Sequence, residues 1–258
     1  MLHLLKLEWL KVKNYKAFWI FLGLYVIGLF GINYVAYQLQ DNIKGQIPIE
    51  IFPYNFPKVY GTIAWISSWL LYFPGMLMIL VISNEYSFKT HRQNIIDGLT
   101  RQQFIYSKIL FGIVIGIITT LFCFLNAVIF GVMYSSSFSF DGIEFIGYSF
   151  VQCLCYIFFA MILAVLMRRS GLAMAVFFLY GLIFEQLIGG VVDNKILNSH
   201  NFWYYMPLEA SDVMVPITFG NKIFYKDAPS SNVLLGVCAV YILLYCFISV
   251  RKFEHEDL

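Results

Sequence analysis

The sequence predicts an all-α polytopic membrane protein. Six transmembrane helices lie in one domain over residues 1–258, with an amphipathic helix before them and a short helix in a polar loop. Three observations lead there. The chain is 60% hydrophobic and 19% aromatic but only 12% charged, where soluble domains carry about 25%. Its apolar runs reach the roughly 20 residues that cross a bilayer. The runs are also continuous, whereas the strands of a membrane barrel alternate over about 10 residues at a time.

Residues 1–16 interleave Leu2, Leu5, Trp9 and Val12, at helical spacing, with Lys6, Lys11, Lys13 and Lys16. That pattern reads as a helix in the membrane surface with lysines toward anionic headgroups, or more plainly as the basic flank of the first span. The first span covers residues 17–37. It has full length and no small-x-small site behind it, so no cleavable signal peptide is expected. Residues 38–60, with Pro48, Pro53 and Pro57, form a loop. The second span, 61–82, contains Pro74, which lacks a donor, clashes one turn back and is expected to kink it. Pro74-Gly75 reads either as a hinge or as a shape that packing requires.

Residues 83–108 are the polar exception, with four Lys/Arg, two acids and a His between two apolar runs. Thr100 and Gln103 form the T-x-x-Q pattern of a capping box that starts the third span, 104–134. This span is longer than a bilayer needs, so its first turns, Lys108 included, are expected to project into water. Asp141 and Glu144 then put negative charge at the start of the fourth span, 144–167, where the helix dipole favours it. Arg168-Arg169-Ser170 makes a tight turn with Ser170 as the expected N-cap, and the fifth span covers 171–192. A long polar segment follows, holding Phe202-Trp203-Tyr204-Tyr205-Met206-Pro207-Leu208. Aromatics of this density suit the membrane interface, as a re-entrant or surface helix or as a packed loop. The sixth span is 232–250.

Six spans put both termini on one side. Twelve of the seventeen Lys/Arg fall on that side; Lys44, Lys58, Lys195, Lys222 and Lys226 fall on the other with eight of the fifteen acids. The positive-inside rule therefore predicts cytoplasmic termini and a cytoplasmic 83–103 loop.

Motifs exclude more than they assign. There is no G-x-x-x-x-G-K-[ST], so no P-loop binds nucleotide, and no G-x-S-x-G or H-E-x-x-H. His3, His91, His200 and His255 lie outside the spans. Cys123, Cys153, Cys155, Cys238 and Cys246 lie inside apolar runs, where a thiol behaves as a small hydrophobe. Cys153 and Cys155 have no further ligand at metal-site spacing. No catalytic residue, metal site or nucleic-acid partner is expected. Glu185, followed by Gln186, is the acid well inside a span. Such a group faces a cavity or partner, unless the span ends early near Gly189-Gly190 and leaves Glu185 by the headgroups. Asn126 and Gln152 read as interhelical hydrogen-bonding residues.

The polar stretch resembles the first cytoplasmic loop of the permeases of type-2 ABC exporters. In that family an acidic residue is followed five positions on by Thr, here Glu85 and Thr90. A small-hydrophobic-Ser/Thr-Arg step follows, here Gly98-Leu99-Thr100-Arg101, and a Lys seven positions after the Arg, here Lys108. The family usually has Gly before the Thr, where this chain has Lys89, and often Pro where it has Gly98. Glu8 and Lys11 resemble the family's elbow helix, Tyr205-Met206-Pro207-Leu208 its Tyr-Leu-Pro step, and the six-span layout matches over the whole chain. The resemblance implies a permease subunit in a bacterial inner membrane, working with a separate ABC ATPase subunit that carries ATP and Mg. It also implies a second permease copy or paralogue, with no cofactor on this chain and lipid around it.

Residues 88–99 then read as a coupling helix with Phe88, Ile95, Ile96 and Leu99 on one side and Lys89 and Arg92 beside them. An amphipathic helix in water with no core of its own wants a groove on a partner. The implied ATPase-coupling residues are Glu85, Phe88, Thr90, Arg92, Ile95, Ile96, Leu99, Arg101 and Lys108. The rival readings are an ion- or proton-coupled secondary carrier, which would need paired intramembrane charges, and a non-transporting membrane scaffold or sensor.

Overall fold

The computed structural model describes residues 2–43, 50–135, 137–197, 201–215 and 228–255. Lys44, Pro48, His200, Lys222 and Lys226 lie outside them. Among the described residues every regular element is helical.

Helix α1 (Leu2–Val12) is the expected N-terminal helix, turned by about one residue from its expected face. Glu8 and Val12 are buried while Trp9 is exposed. Helix α2 (Lys16–Ile43) runs past Tyr37, and the buried Gln40 near its end accepts the Phe52 N–H at 3.0 Å. The second span is two helices, α3 (Val59–Ser68) and α4 (Tyr72–Ser87), bent by 44°. The bend is not at Pro74. It falls at Trp69–Leu71, where the N–H groups of Leu70 and Leu71 reach back only three residues, to Ser67 and Ser68, and tighten the turn. Pro74 is the third residue of α4. Its missing N–H is one of the first four that have no intrahelical partner anyway. Gly75 supports the packing alternative: a Cβ there would stand 2.5 Å from the Phe177 ring.

The polar loop folds as a turn, the short helix α5 (Thr90–Ile96) and a second turn. Phe88 and Leu99 therefore lie outside the helix expected to contain them. Lys89 turns the chain with φ of 55°, and Gly98 with φ of 105°. Helix α6 (Arg101–Tyr134) starts on the expected capping box. Gln103 N–H donates to Thr100 Oγ1 at 3.2 Å, and Thr100 N–H to Gln103 Oε1 at 3.0 Å. In its first turns Phe104, Ile105, Ser107 and Lys108 are buried within the protein, while Gln102, Gln103 and Tyr106 are exposed.

Helix α7 (Glu144–Met167) carries no charge after Glu144. A helix apolar all round belongs inside. Its most apolar stretch is 72% buried, against 39% or less in any other single span candidate, so α7 is the central post. Arg168 reverses the chain at φ 56°, and Arg169 rather than Ser170 takes the N-cap position of the next helix, with no side-chain cap bond. That helix, α8 (Ser170–Leu197), passes the expected end at Val192 and widens into π turns at Tyr180–Phe184 and Val192–Leu197. A 3-10 turn (Trp203–Tyr205) and α9 (Glu209–Asp212) follow, and α10 (Ser231–Glu254) closes the bundle. The aromatic segment is packed into the protein, with Tyr204, Met206, Leu208 and Ala210 buried.

Five helices are long and apolar enough to cross a membrane, or six if the bent pair counts as one span. That is the make-up of a multi-pass membrane protein. The two expected interhelical polar residues behave differently. Asn126 bonds its own helix, at Phe122 O, while Gln152 reaches Asp212 in α9.

Candidate functional site

The site is built at the end of the bundle where α1 and the last turn of α10 meet the polar loop and the start of α6. Glu85, in the last turn of α4, is its centre. Its Oε1 accepts from Lys108 Nζ at 2.6 Å and from Lys11 Nζ at 2.9 Å. Its Oε2 accepts from Thr90 Oγ1 at 2.6 Å and Asn94 Nδ2 at 3.3 Å, and its carbonyl meets His91 Nδ1 at 2.9 Å. Glu8 completes the cluster from α1, holding Lys108 Nζ at 2.5 Å and Ser107 Oγ at 3.0 Å. Lys108 has no exposed surface, and the Phe104 ring lies 5.1 Å from its ammonium. Two carboxylates and two ammonium groups sum to zero, which is what lets a lysine sit in the interior. The cluster joins α1, α4, α5 and α6 through one carboxylate.

The expected coupling residues divide into two sets. Glu85, Thr90 and Lys108 are brought together. Lys108, expected in water, is the most enclosed charge of the cluster. Ile95 turns inward against Phe104, Ile105 and Phe253 rather than outward. Arg101 reaches α10: its Nη1 donates to Glu254 O at 2.6 Å and clamps the end of that helix, where a cation suits the helix dipole. Gln102 holds the Glu254 carboxylate, and Phe104 stacks on Phe253 at 4.6 Å. Left outside are Phe88 and Ile96, 74% and 78% exposed, with exposed Lys89 and Arg92 between them. Leu99 is half-buried.

The sequence reading missed how much α1 contributes, treating its lysines as headgroup contacts. The signal was present. Glu8 shares a helical face with Leu5 and Val12, and an acid on an apolar face is an acid that will be buried against a partner.

Glu185, whose position was open, is buried and accepts the backbone N–H groups of Leu208 and Glu209 at 2.7 and 3.1 Å. Gln186 reaches Glu209 Oε2 at 3.3 Å. Both residues fasten the 201–215 segment to α8. Asp212 went unnoticed in the sequence, because nothing local distinguishes it from a loop acid.

A family model described as Protein of unknown function (DUF2705) matches the chain over residues 48–258. No curated protein matches the chain.

Proposed function

We propose that the chain, which belongs to the DUF2705 family, is the transmembrane permease subunit of an ATP-driven exporter of the type-2 ABC kind. It couples through α5 to a separate ATPase subunit and works beside a second permease. The observation that carries this reading is the two-sided build of α5. Its inner side is pinned to Glu85 through Thr90 and Asn94. Its outer side offers the large apolar side chain of Ile96 to water, and Phe88, in the turn just before the helix, is exposed as well. Burying one such side chain is worth about 1.5–3 kcal/mol, enough to matter for docking on a partner's groove. A push on α5 would pass at once to α1, α4 and α6, because one buried cluster holds all of them. This is how a loop moves a bundle as a rigid body.

Two further observations support the layout. Glu8 meets Lys108, and Arg101 meets Glu254, so the first and last helices share an end of the bundle. In the proposed layout the number of crossings is even, and α3 with α4 is taken as one span of six. In the proposed orientation this end, with twelve Lys/Arg, faces the cytoplasm. ATP hydrolysis lies on the partner, since this chain has no phosphate-cradling loop.

The test substitutes the two neighbouring isoleucines. Ile96→Asp puts a charge into the docking groove and should strip the ATPase during co-purification, leaving the permease folded. Ile95→Asp buries a charge within this chain and should instead lower its own thermal stability. If Ile96→Asp leaves co-purification and transport-coupled hydrolysis at wild-type levels in a folded protein, α5 is not the coupling element.

A further inference from the structure

Helix α1 has two charged faces. The inner one puts Glu8 and Lys11 into the Glu85 cluster. The outer one keeps Lys6 and Lys13 exposed beside Trp9 and Leu10, and Lys16 is exposed at the start of α2. Glu8 is the only acid before Asp41 in the sequence, and it is turned inward, so the outer face is basic and apolar. Its apolar strip runs without a break into the first span. The Trp9 ring, 45% exposed, meets Trp19 edge-on at 6.1 Å, and Trp19 Nε1 donates to Lys13 O at 2.8 Å. Trp19 and Ile20 are exposed in α2, and Leu24 and Ile27 carry the same exposed side along the span.

The continuity of that strip says what covers it. The apolar side that a span turns outward meets lipid, and the part of the same strip on α1 lies where the span ends, at the depth of the headgroups. Indole rings are enriched at that depth, and lysines beside apolar side chains hold anionic lipid there. We propose that the outer face of α1, with the first turns of α2, is a binding site for anionic phospholipid. Lys6, Lys13 and Lys16 meet the phosphate charge, and Trp9 and Trp19 set the depth. Lys11 takes no part, although it has the same charge on the same helix, because it is turned to Glu85. The sequence pattern sends all four lysines to headgroups, and the fold leaves three. Lipid on the outer face also presses α1 onto the corner that its inner face builds, so anionic lipid supports the Glu85 cluster from outside. None of this depends on the permease reading, since no residue of α5 is involved.

The probe is phosphatidylglycerol against phosphatidylcholine, offered in equal amounts to the full chain in mixed micelles. Lipid retained on the purified protein is measured by mass spectrometry. The wild-type chain should prefer phosphatidylglycerol by at least about fivefold, the factor that one lysine near a charged membrane surface contributes. Lys6→Gln, Lys13→Gln and Lys16→Gln together should cut that preference by at least about fivefold. Lys11→Gln, which removes the same charge from the inner face, should leave it at the wild-type level. Phosphatidylglycerol should also raise the melting temperature of the wild-type chain, as a ligand of the folded state does, and raise that of the triple variant less. Equal retention of the two lipids by the wild-type chain overturns the proposal and leaves the face to a protein partner. A preference that survives the triple change overturns it too. So does one that falls as far with Lys11→Gln as with Lys13→Gln alone, because the lipid then follows total charge and not this face. A melting temperature raised equally in the two chains overturns the support of the corner. The assay holds no ATPase, so its result and that of the Ile96→Asp test are independent.

Discussion

Lys108 is the residue on which the electrostatics of the chain turn. It is fully enclosed between Glu8 and Glu85, so its removal leaves two buried carboxylates with, among the described residues, only the partly exposed Lys11 paired to them. Breaking a buried pair from one side destabilises by about 3–5 kcal/mol, whereas an ion pair open to solvent is worth about 0–1 kcal/mol. Lys108→Met should therefore lower the melting temperature sharply in detergent, and Lys11→Met only slightly. Equal losses from the two would mean that the cluster is not the support described here. Lys89 carries a different strain. It holds φ of 55° without being glycine, at the position where the resembled family usually has glycine. An L-residue in that region costs about 1–2 kcal/mol, so Lys89→Gly should raise thermal stability by about 1 kcal/mol. A fall in stability would show that the lysine side chain earns its place by contacts. Neither residue's role was legible in the sequence. Lys108 reads as a juxtamembrane cation because its partners stand 23 and 100 positions away, and no local period records a contact at that distance.

At the scale of elements, the helices announced themselves and their breaks did not. The capping box at Thr100, the acidic start at Glu144 and the uniformly apolar α7 are local signals, and each gave an element where it stands. The bend in the second span went to Trp69–Leu71 rather than to Pro74 because a proline in the first turn of a helix breaks no bond. Ser67-Ser68 just before the bend is the feature that marks it, since serine pairs recur at kinks. Gly75 makes the next contact possible, with α4 meeting α8 at Phe177. Gly75→Val should lower stability by about 1–3 kcal/mol through overpacking, and adding Phe177→Ala should recover part of the loss. Thermal unfolding of the single and double variants decides it; strictly additive losses would mean that the two residues do not press on one another. The 83–108 stretch was legible as the functional loop from charge alone. Which of its isoleucines faces inward was not, because that is set by Phe104 and Phe253 from two other helices.

For the whole molecule, the prediction is sidedness. Ser87 stands at the end of the bundle that gathers α1 and the last turn of α10, and Ser230 immediately precedes α10 at the other end. In a background without the native thiols, Ser230→Cys should react with a membrane-impermeant maleimide in intact cells and Ser87→Cys only after lysis. Labelling of Ser87→Cys in intact cells inverts the orientation. The multi-pass architecture was readable from composition and run length because a bilayer imposes one length on every crossing. The folding-in of residues 201–215 was not, since their polar anchors, Glu185 and Gln152, sit inside spans that read as apolar.

The Glu8–Lys108 pair also sets an order of events while the chain is being made. The two residues are 100 positions apart, and at a synthesis rate of about 5–20 residues per second the carboxylate on α1 emerges about 5–20 seconds before its ammonium. Glu85 arrives in that interval and adds a second acid to an unfinished corner that has only Lys11 to neutralise it. Until α6 is made, α1 meets α4 through Lys11 and Glu85 without the lysine that closes the corner.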